Sequence, residues 1–409
     1  MSRIDELIAK LCPDGVEYKA LGDVGVFIRG NGLQKSDLIE SGAPAIHYGQ
    51  IHTFYGTWTE SAKSFVSPVL ASKLRHAEHG DVVIVTTSED DEAVAKATAW
   101  LGNETAAVSG DAYIYRHSLE PKYIAYFMQT ESFQLQKRPL LTGTKVRRIS
   151  GNALGKIRIP VPPLAIQREI VRILDTFSAL EAELEAELEA RRQQYMHYRN
   201  ALLTFDGRRI IPRVRFGNLV KISRGGSPRP IHSFITDSDD GIPWIKIGDI
   251  DAGGKYITQT SERIKPSGVM MSRRVRPGDF VLSNSMSYGR PYISMIEGCI
   301  HDGWLAISDY ADSFNSDFLY HLLRSTSVQA EFSRRAGAGT VRNLNADIVK
   351  AIFVPVPPLA EQERIASVLD HFDALVNDIS IGLPAELAAR RTQYEYYRDR
   401  LLTFQERPA

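Results

Sequence analysis

The chain has little cysteine. Two residues in 409, Cys12 and Cys299, exclude a disulfide framework and a cysteine-rich zinc site. A reducing cytoplasm is the simplest home for such a chain. No stretch approaches the roughly 20 apolar residues that a membrane helix needs, so no membrane partner is expected. Residues 1–11 read as a short amphipathic helix carrying Asp5 and Glu6, not as a signal peptide. Net charge is also missing: 49 Lys and Arg balance 49 Asp and Glu. The 43% hydrophobic and 24% charged fractions are those of a globular chain, not a disordered or fibrous one.

Catalytic motifs are missing too. There is no Walker loop. The Pro-Pro pairs are followed by Leu164 and Leu359, so no Asp/Asn-Pro-Pro-aromatic tetrapeptide is present to grip a flipped adenine. Asp14 and Glu17 precede Lys19 in a pattern that mimics the carboxylate-and-lysine set of metal-dependent nucleases. Two intervening residues are too few, because the two acids normally come from separate strands. His76-x-x-His79 has metal-like spacing without a clustered third ligand, which reads as a surface pair. Gly337-Ala338-Gly339-Thr340 reads as a plain turn before it reads as a phosphate cradle. No nucleophile–base pair stands out. Neither a catalytic residue nor a metal ligand is assigned.

What is present is blocky charge. Residues 137–158 carry seven basic side chains and no acid, residues 207–236 another seven, and residues 263–278 five more. One such block is usually a solvated face. Three in one chain point to a polyanionic partner.

The chain also repeats itself once. Residues 159–180 align with 354–375 at an offset of 195, with 13 of 22 positions identical. Residues 190–205 align with 389–404 at an offset of 199, with 11 of 16 identical. Weaker matches run upstream: Arg29-Gly30 with Arg224-Gly225, Gly49-Gln50-Ile51 with Gly248-Asp249-Ile250, and Val146-Arg147 with Val341-Arg342. The order is variable block, helix-like block, variable block, helix-like block. A shared framework with divergent filling implies two modules doing one job on different targets.

The helix-like blocks follow a Pro-Pro pair, which a helix cannot enter from upstream. Apolar residues then recur at steps of three and four: Ile170, Ile173, Phe177, Leu180, Leu184 and Leu188, and in the second copy Ile365, Val368, Phe372, Leu375, Ile379, Leu383 and Leu387. The second copy carries four extra residues, which read as a stutter that preserves the apolar face of two paired helices. About 42 residues at ~1.5 Å each predict a rod of ~60 Å, kinked near Pro384. The variable blocks mix short apolar strands such as 81–85 and 280–282 with amphipathic helices at 123–134 and 318–332. The predicted fold class is α+β: two similar mixed α/β domains joined by two long antiparallel coiled-coil helices, with an internal pseudo-twofold repeat. The predicted domains are 1–160, 161–207, 208–355 and 356–409.

The opening motif Pro-x-Pro-Pro-Leu-Ala-x-Gln occurs at 160–167 and 355–362. The closing motif Arg-Arg-x-Gln-Tyr…Tyr-Arg…Leu-Leu-Thr-Phe occurs at 191–205 and 390–404. In this plan the chain resembles, over nearly its whole length, the DNA-specificity subunits of type I restriction–modification systems. The resemblance implies that each variable block is a target-recognition domain reading one half of a bipartite site in double-stranded DNA. It implies that the helices hold the halves apart and dock two methyltransferase subunits, and that restriction/motor subunits then join. S-adenosylmethionine, ATP and Mg would belong to those partners, with no cofactor on this chain. A stand-alone DNA methyltransferase or nuclease with dispersed motifs is the alternative, and a coiled-coil scaffold that has lost DNA binding a third. Candidate DNA-binding residues are Arg29, Gln50, Lys145, Arg147 and Arg148 in the first module, and Arg224, Arg229, Asp249, Arg342 and Asn343 in the second. Arg, Asn and Gln suit base edges, and Asp can accept from cytosine. Matched residues fit a framework role equally well, and base-reading residues should differ between modules. Unmatched Tyr55, Trp58, Lys63, His232, Lys255 and Tyr288 are therefore also candidates. Arg191, Arg192, Tyr195, Arg390, Arg391 and Tyr394 are candidates for the methyltransferase interface, with helix packing the favoured reading for the two tyrosines.

Overall fold

The β-branched run at 82–85 forms the strand Val82–Val85, every residue of which is buried. It lies at the centre of a five-stranded sheet. The structure, a computed structural model, describes residues 3–205, 211–250, 254–284, 288–336, 344–378 and 380–408. No helix among them is long and apolar enough to cross a membrane. Two units divide the chain: unit 1 comprises Met1–Ala182 with Ala389–Ala409, and unit 2 comprises Glu183–Ala388.

In unit 1 the first sheet runs, edge to edge, Gly25–Arg29, Ala112–His117, Val82–Val85, Ala97–Trp100, Trp58–Thr59. The second runs Ser64–Val66, Ala43–Ile46, Ala106–Val108, His76–Ala77. Unit 2 repeats both orders. Its first sheet is Lys221–Arg224, Trp304–Ser308, Phe280–Ser283, Pro291–Ser294, Tyr256–Ile257. Its second is Ile235–Thr236, Glu262–Ile264, Ile242–Ile245, Gly298–Ile300, Arg273–Val275, which adds one outer strand. Side-chain alternation splits the buried residues between two cores. Val83, Val85, Ile114 and Trp100 pack on one face of the first sheet. Val82, Ile84 and Tyr115 pack on the other, against helical Tyr123, Ile124 and Phe127 and against Ile166, Ile170 and Leu174.

The amphipathic stretches at 123–134 and 318–332 are each two helices, not one. Pro121–Phe127 and Glu131–Lys137 are separated where Thr130 Oγ1 donates to the Phe127 carbonyl at 2.7 Å and accepts from Phe133 N–H at 3.2 Å. Ser316–Leu323 and Thr326–Ala336 are separated where Ser325 Oγ donates to the Leu322 carbonyl at 2.7 Å. A hydroxyl that satisfies a helix-terminal carbonyl is enough to end the turn there.

The repeated motifs form three helices: α1 (Leu164–Thr204), α2 (Leu359–Asn377) and α3 (Leu383–Leu401). The glutamine of the opening motif has a defined task. Gln167 Nε2 donates to the Pro162 carbonyl at 2.7 Å, and its Oε1 accepts from Glu120 N–H at 2.9 Å. Gln362 does the same with the Pro357 carbonyl at 2.8 Å and Asn315 N–H at 2.8 Å. Each side-chain amide thus ties the start of its helix to the segment leading into Pro121–Phe127 or Ser316–Leu323. In unit 1, Phe177 of α1 stacks on Tyr397 of α3, and Glu181 pairs with Arg391 at 2.6 Å. Later residues of α1 thus meet earlier residues of α3, so the two run antiparallel. In unit 2, Tyr198 of α1 stacks on Phe372 of α2, and Leu188, Tyr195 and Leu203 join a core with Ile365, Leu369, Val376 and Leu387.

The second long block is not one kinked helix. α2 ends at Asn377 and α3 begins at Leu383, before Pro384, which occupies the first turn of α3. A proline there removes no helical hydrogen bond, whereas deeper inside a helix it would clash with the preceding turn. Asp378 closes the break, accepting from Ser380 N–H at 2.7 Å and from Ser380 Oγ at 2.5 Å. The second copy therefore breaks into two helices where the sequence predicts a continuous helix with a stutter. Ile379 lies outside the described residues.

Candidate nucleic-acid interface

Arg29 ends the edge strand Gly25–Arg29 and is exposed. Gly30 follows because the chain there presses on its neighbour: a Cβ would stand 2.2 Å from the Ser109 carbonyl oxygen. The Arg29 guanidinium donates through Nε to the Gly110 carbonyl at 2.9 Å and lies 3.9 Å from Asp111. It lines a cleft of about 520 Å³ with Lys35, His47, Tyr48, Ser109 and Asp111. Burial lowers the pKa of His47 against the opposing charge of Asp111, so near pH 7 its imidazole is neutral.

Unit 2 builds the same corner. Arg224 ends the edge strand Lys221–Arg224, and a Cβ on Gly225 would meet the His301 carbonyl oxygen at 1.9 Å. Ser227 Oγ donates to Asp302 Oδ1 at 2.8 Å, and Arg229 lies 3.5 Å from Asp302 Oδ2. The Ser227 hydroxyl is the main cause of the lowered Asp302 pKa, while burial lowers that of His301. The backbone corner is repeated and its side chains are not, as a tandem reader of two different targets requires.

Gln50 and Asp249 occupy equivalent turns and do equivalent work. Gln50 Oε1 accepts from His47 N–H at 3.1 Å, and its Nε2 donates to Ser64 Oγ at 2.7 Å. Asp249 accepts from Lys246 N–H at 2.8 Å and from Ser261 Oγ at 2.6 Å. Both side chains are engaged in holding their turn to a neighbouring segment.

Lys145, Arg147 and Arg148 lie together on a hairpin closed by the Thr142–Arg148 bridge. Its strand Arg147–Arg148 pairs with Thr87–Ser88. Arg147 is held by Asp91 at 2.6 Å and the Gly143 carbonyl at 2.6 Å, while Lys145 and Arg148 are exposed. The short helix Tyr48–Thr53 connects this hairpin to the Arg29 cleft: Tyr48 lines the cleft, and His52 Nε2 lies 3.2 Å from the Thr87 carbonyl. Arg342 and Asn343, with residues 337–340, lie outside the described residues.

On the helices, Arg192 is exposed, Arg191 pairs with Glu187 at 2.7 Å, and Arg390 Nη1 donates to Gln393 Oε1 at 3.1 Å. Arg391 meets Glu181. The two tyrosines face inward. Tyr195 is buried with its hydroxyl 3.1 Å from His321 Nδ1, and the Tyr394 hydroxyl donates to Gln129 Oε1 at 3.3 Å. Several unmatched residues also belong to the framework. Lys255 Nζ lies 2.7 Å from Asp317 and 2.8 Å from Asp370; burial opposes its charge, but the two carboxylates outweigh burial and raise its pKa. Tyr55 is buried and its hydroxyl accepts from Lys63 N–H at 2.7 Å. The Tyr288 hydroxyl donates to the Phe332 carbonyl at 2.9 Å, and Trp58 lies under Lys122 Nζ at 3.7 Å. His232 is exposed, and so is Arg75, whose Nη1 donates to the Arg29 carbonyl at 2.6 Å. Sequence reading did not single out Lys35, His47, Tyr48 or Arg75. Lys35 and Arg75 fall outside the basic blocks, and only the fold brings them to Arg29.

Two copies of one α/β module, each presenting an arginine on a glycine-forced corner, define a tandem recognition protein. The family described as the type I restriction modification DNA specificity domain matches residues 13–190 and again 213–389. The chain belongs to that family. It is 31% identical over 300 residues to the specificity subunit of the Escherichia coli type I restriction enzyme EcoR124I/EcoR124II, covering 69% of this chain and 70% of the relative. In fold it is similar to a chain solved in work on complex assembly and conformational transition of the type I R-M system, with a TM-score of 0.69, 18% identity, and coverage of 96% and 98%. The HsdS subunit of Thermoanaerobacter tengcongensis matches with a TM-score of 0.51, 20% identity, and coverage of 96% and 97%.

Proposed function

We propose that this chain is the sequence-reading subunit of a type I restriction–modification complex and that each unit reads one half of a bipartite site in double-stranded DNA. The observation that carries this reading is the repeated arginine–glycine corner with divergent surroundings: Lys35, His47 and Tyr48 in one unit, Arg229, His301 and Asp302 in the other. A true dimer would place identical side chains at both corners and read a palindrome; a divergent pseudo-dimer reads two different half-sites. Arg29 and Arg224 contact DNA from these corners. Lys145, Arg147 and Arg148 add positive charge at the 142–148 hairpin, where phosphate contacts position without specifying. Gln50 and Asp249 shape their turns and act on DNA through that shape.

The helices set the unread spacer and dock two methyltransferase subunits through Arg191, Arg192, Arg390 and Arg391. Tyr195 and Tyr394 position those helices from inside. The chain is non-catalytic. Restriction/motor subunits join the complex, and S-adenosylmethionine, ATP and Mg are bound by the partners.

Methylome sequencing of a host with and without this gene tests the reading. The expected result is N6-methyladenine at one bipartite motif, lost when the gene is deleted. A methylome unchanged by the deletion contradicts it.

A further inference from the structure

The turn beside each arginine–glycine corner changes chemistry between the units. In unit 1 it is the helical turn Pro68–Ala71 followed by Ser72 and Lys73, and in unit 2 it is Pro266–Met271. Contacts place the two turns equivalently. Arg75 Nη1 donates to the Arg29 carbonyl at 2.6 Å, and Arg273 Nε donates to the Arg224 carbonyl at 3.4 Å. Asn31 Nδ2 donates to the Lys73 carbonyl at 3.1 Å. Gly226, which follows Gly225 as Asn31 follows Gly30, lies against the Met271 carbonyl, whose oxygen a Cβ would meet at 2.7 Å. Ser72 and Lys73 thus correspond to Met270 and Met271.

Met270 is 92% exposed and Met271 47%. The turn carrying them is firmly held. Gly268 is buried, with room for a Cβ only 3.1 Å from the Phe234 ring, and Ser272 Oγ donates to the Ile300 carbonyl at 3.1 Å. Lys265, Arg273 and Arg274, all exposed, flank the methionines in sequence; Lys265 Nζ donates to the Ser233 carbonyl at 2.8 Å, and Arg274 lies 3.2 Å from Glu297. Apolar side chains at the tip of an anchored turn, flanked in sequence by exposed cations, match a partner whose apolar surfaces lie between phosphates. DNA has that pattern: base faces and thymine methyl groups in the grooves, flanked by the charged backbone. Methionine is flexible and polarizable, which suits irregular apolar contact.

We propose that Met270 and Met271 make apolar contacts with bases of the half-site read by unit 2, while Ser72 and Lys73 make polar and phosphate contacts at the corresponding place in unit 1. This rests on the DNA-reading role proposed above. The test uses the complex purified from its host through a tag on this chain, with a duplex bearing the motif found in the methylome. The M270A/M271A double variant should bind that duplex roughly tenfold more weakly, about the cost of one lost base contact. Its slope of log affinity against log salt should be unchanged, because an apolar contact releases no counterions. Arg273→Ala, the control, should instead reduce that slope by about 0.9. In the methylome, M270S/M271K should relax or alter bases in one half of the motif only. Unchanged affinity and an unchanged motif in the methionine variants overturn the proposal. So does intact DNA binding with loss of co-purifying subunits, which makes the turn a protein-docking surface. A wild-type complex that fails to bind its own motif contradicts the DNA-reading role itself, and the proposal with it.

Discussion

Phe177 stacks on Tyr397 with ring centroids 5.5 Å apart and planes 25° from parallel. The repeat-related residues Phe372 and Tyr198 do the same at 5.4 Å and 27°. Each phenylalanine takes its tyrosine from the other copy of the repeat, so each unit contains a helix pair drawn from both copies. A symmetric dimer makes this exchange between two chains; here one chain makes it with itself.

The exchange predicts a pattern of energetic coupling. A double-mutant cycle on Phe177→Ala and Tyr397→Ala, followed by urea unfolding, should give a coupling of about 1 kcal/mol, the usual size for an aromatic pair. The cycle on Phe177 and Tyr198, which lie on one helix but in different pairs, should give none. Coupling within α1 and none between α1 and α3 would mean that the stacks do not form as described.

His117 predicts an acid-sensitive step. Both ring nitrogens are buried, and burial, opposed by the charge of Asp81 and by the Leu119 backbone, pushes its pKa down to about 4. The unfolded residue titrates near 6.5. Between these values the unfolded state binds the extra proton, so the contribution of His117 to stability is complete above about pH 6.5 and is lost as pH falls toward 4. The urea midpoint of the wild type should therefore drop more between pH 7 and pH 4.5 than that of His117→Gln. Equal drops would place the acid sensitivity in other groups.

Within α1, Leu180-Glu181-Ala182-Glu183 is followed by Leu184-Glu185-Ala186-Glu187 and then Leu188-Glu189-Ala190. All three residue types favour helix. One added Leu-Glu-Ala-Glu unit after Glu187 lengthens α1 by ~6 Å and adds ~40° beyond a full turn. The apolar step from Leu184 to Leu188 already spans four residues, so the insertion continues an existing pattern. One base pair advances ~3.4 Å, and only one helix of the pair changes, so the expected result is a spacer widened by about one base pair with both half-sites unchanged. An active protein with its old spacer would show that α1 does not measure the distance.

The purified chain alone should neither methylate nor cut DNA with any metal or cofactor supplied. The prediction follows from the role proposed above, in which methylation and restriction belong to the partner subunits. Turnover by the isolated chain that a point mutation within it abolishes would falsify the non-catalytic reading and favour a stand-alone methyltransferase or nuclease.

Much of the architecture was legible because the repeat is written in residues with local consequences. Pro162, Pro163 and Gln167, with Pro357, Pro358 and Gln362, start equivalent helices, and the apolar steps that follow mark their buried stripe. The break after Asn377 was not legible, because it depends on how Asp378, Ser380 and Gly382 satisfy one another once the helix ends. The candidate interface was legible at its corner and not around it. Arg29 and Arg224 stand out as a matched pair, and the glycines after them reflect backbone contacts of 2.2 and 1.9 Å for a missing Cβ. Lys255 shows the opposite failure. It reads in sequence as an unmatched cation, yet Asp317 and Asp370, distant in sequence, pair with it and hold its charge within the framework.

Exchange of one variable block tests the central claim most directly. Residues 21–150 would be replaced by the equivalent block of another specificity subunit, and the host methylome sequenced. If each unit reads one half-site, the new motif keeps one half of the old one and changes only the other. A motif changed in both halves, or in neither, would contradict the assignment of one half-site to each unit.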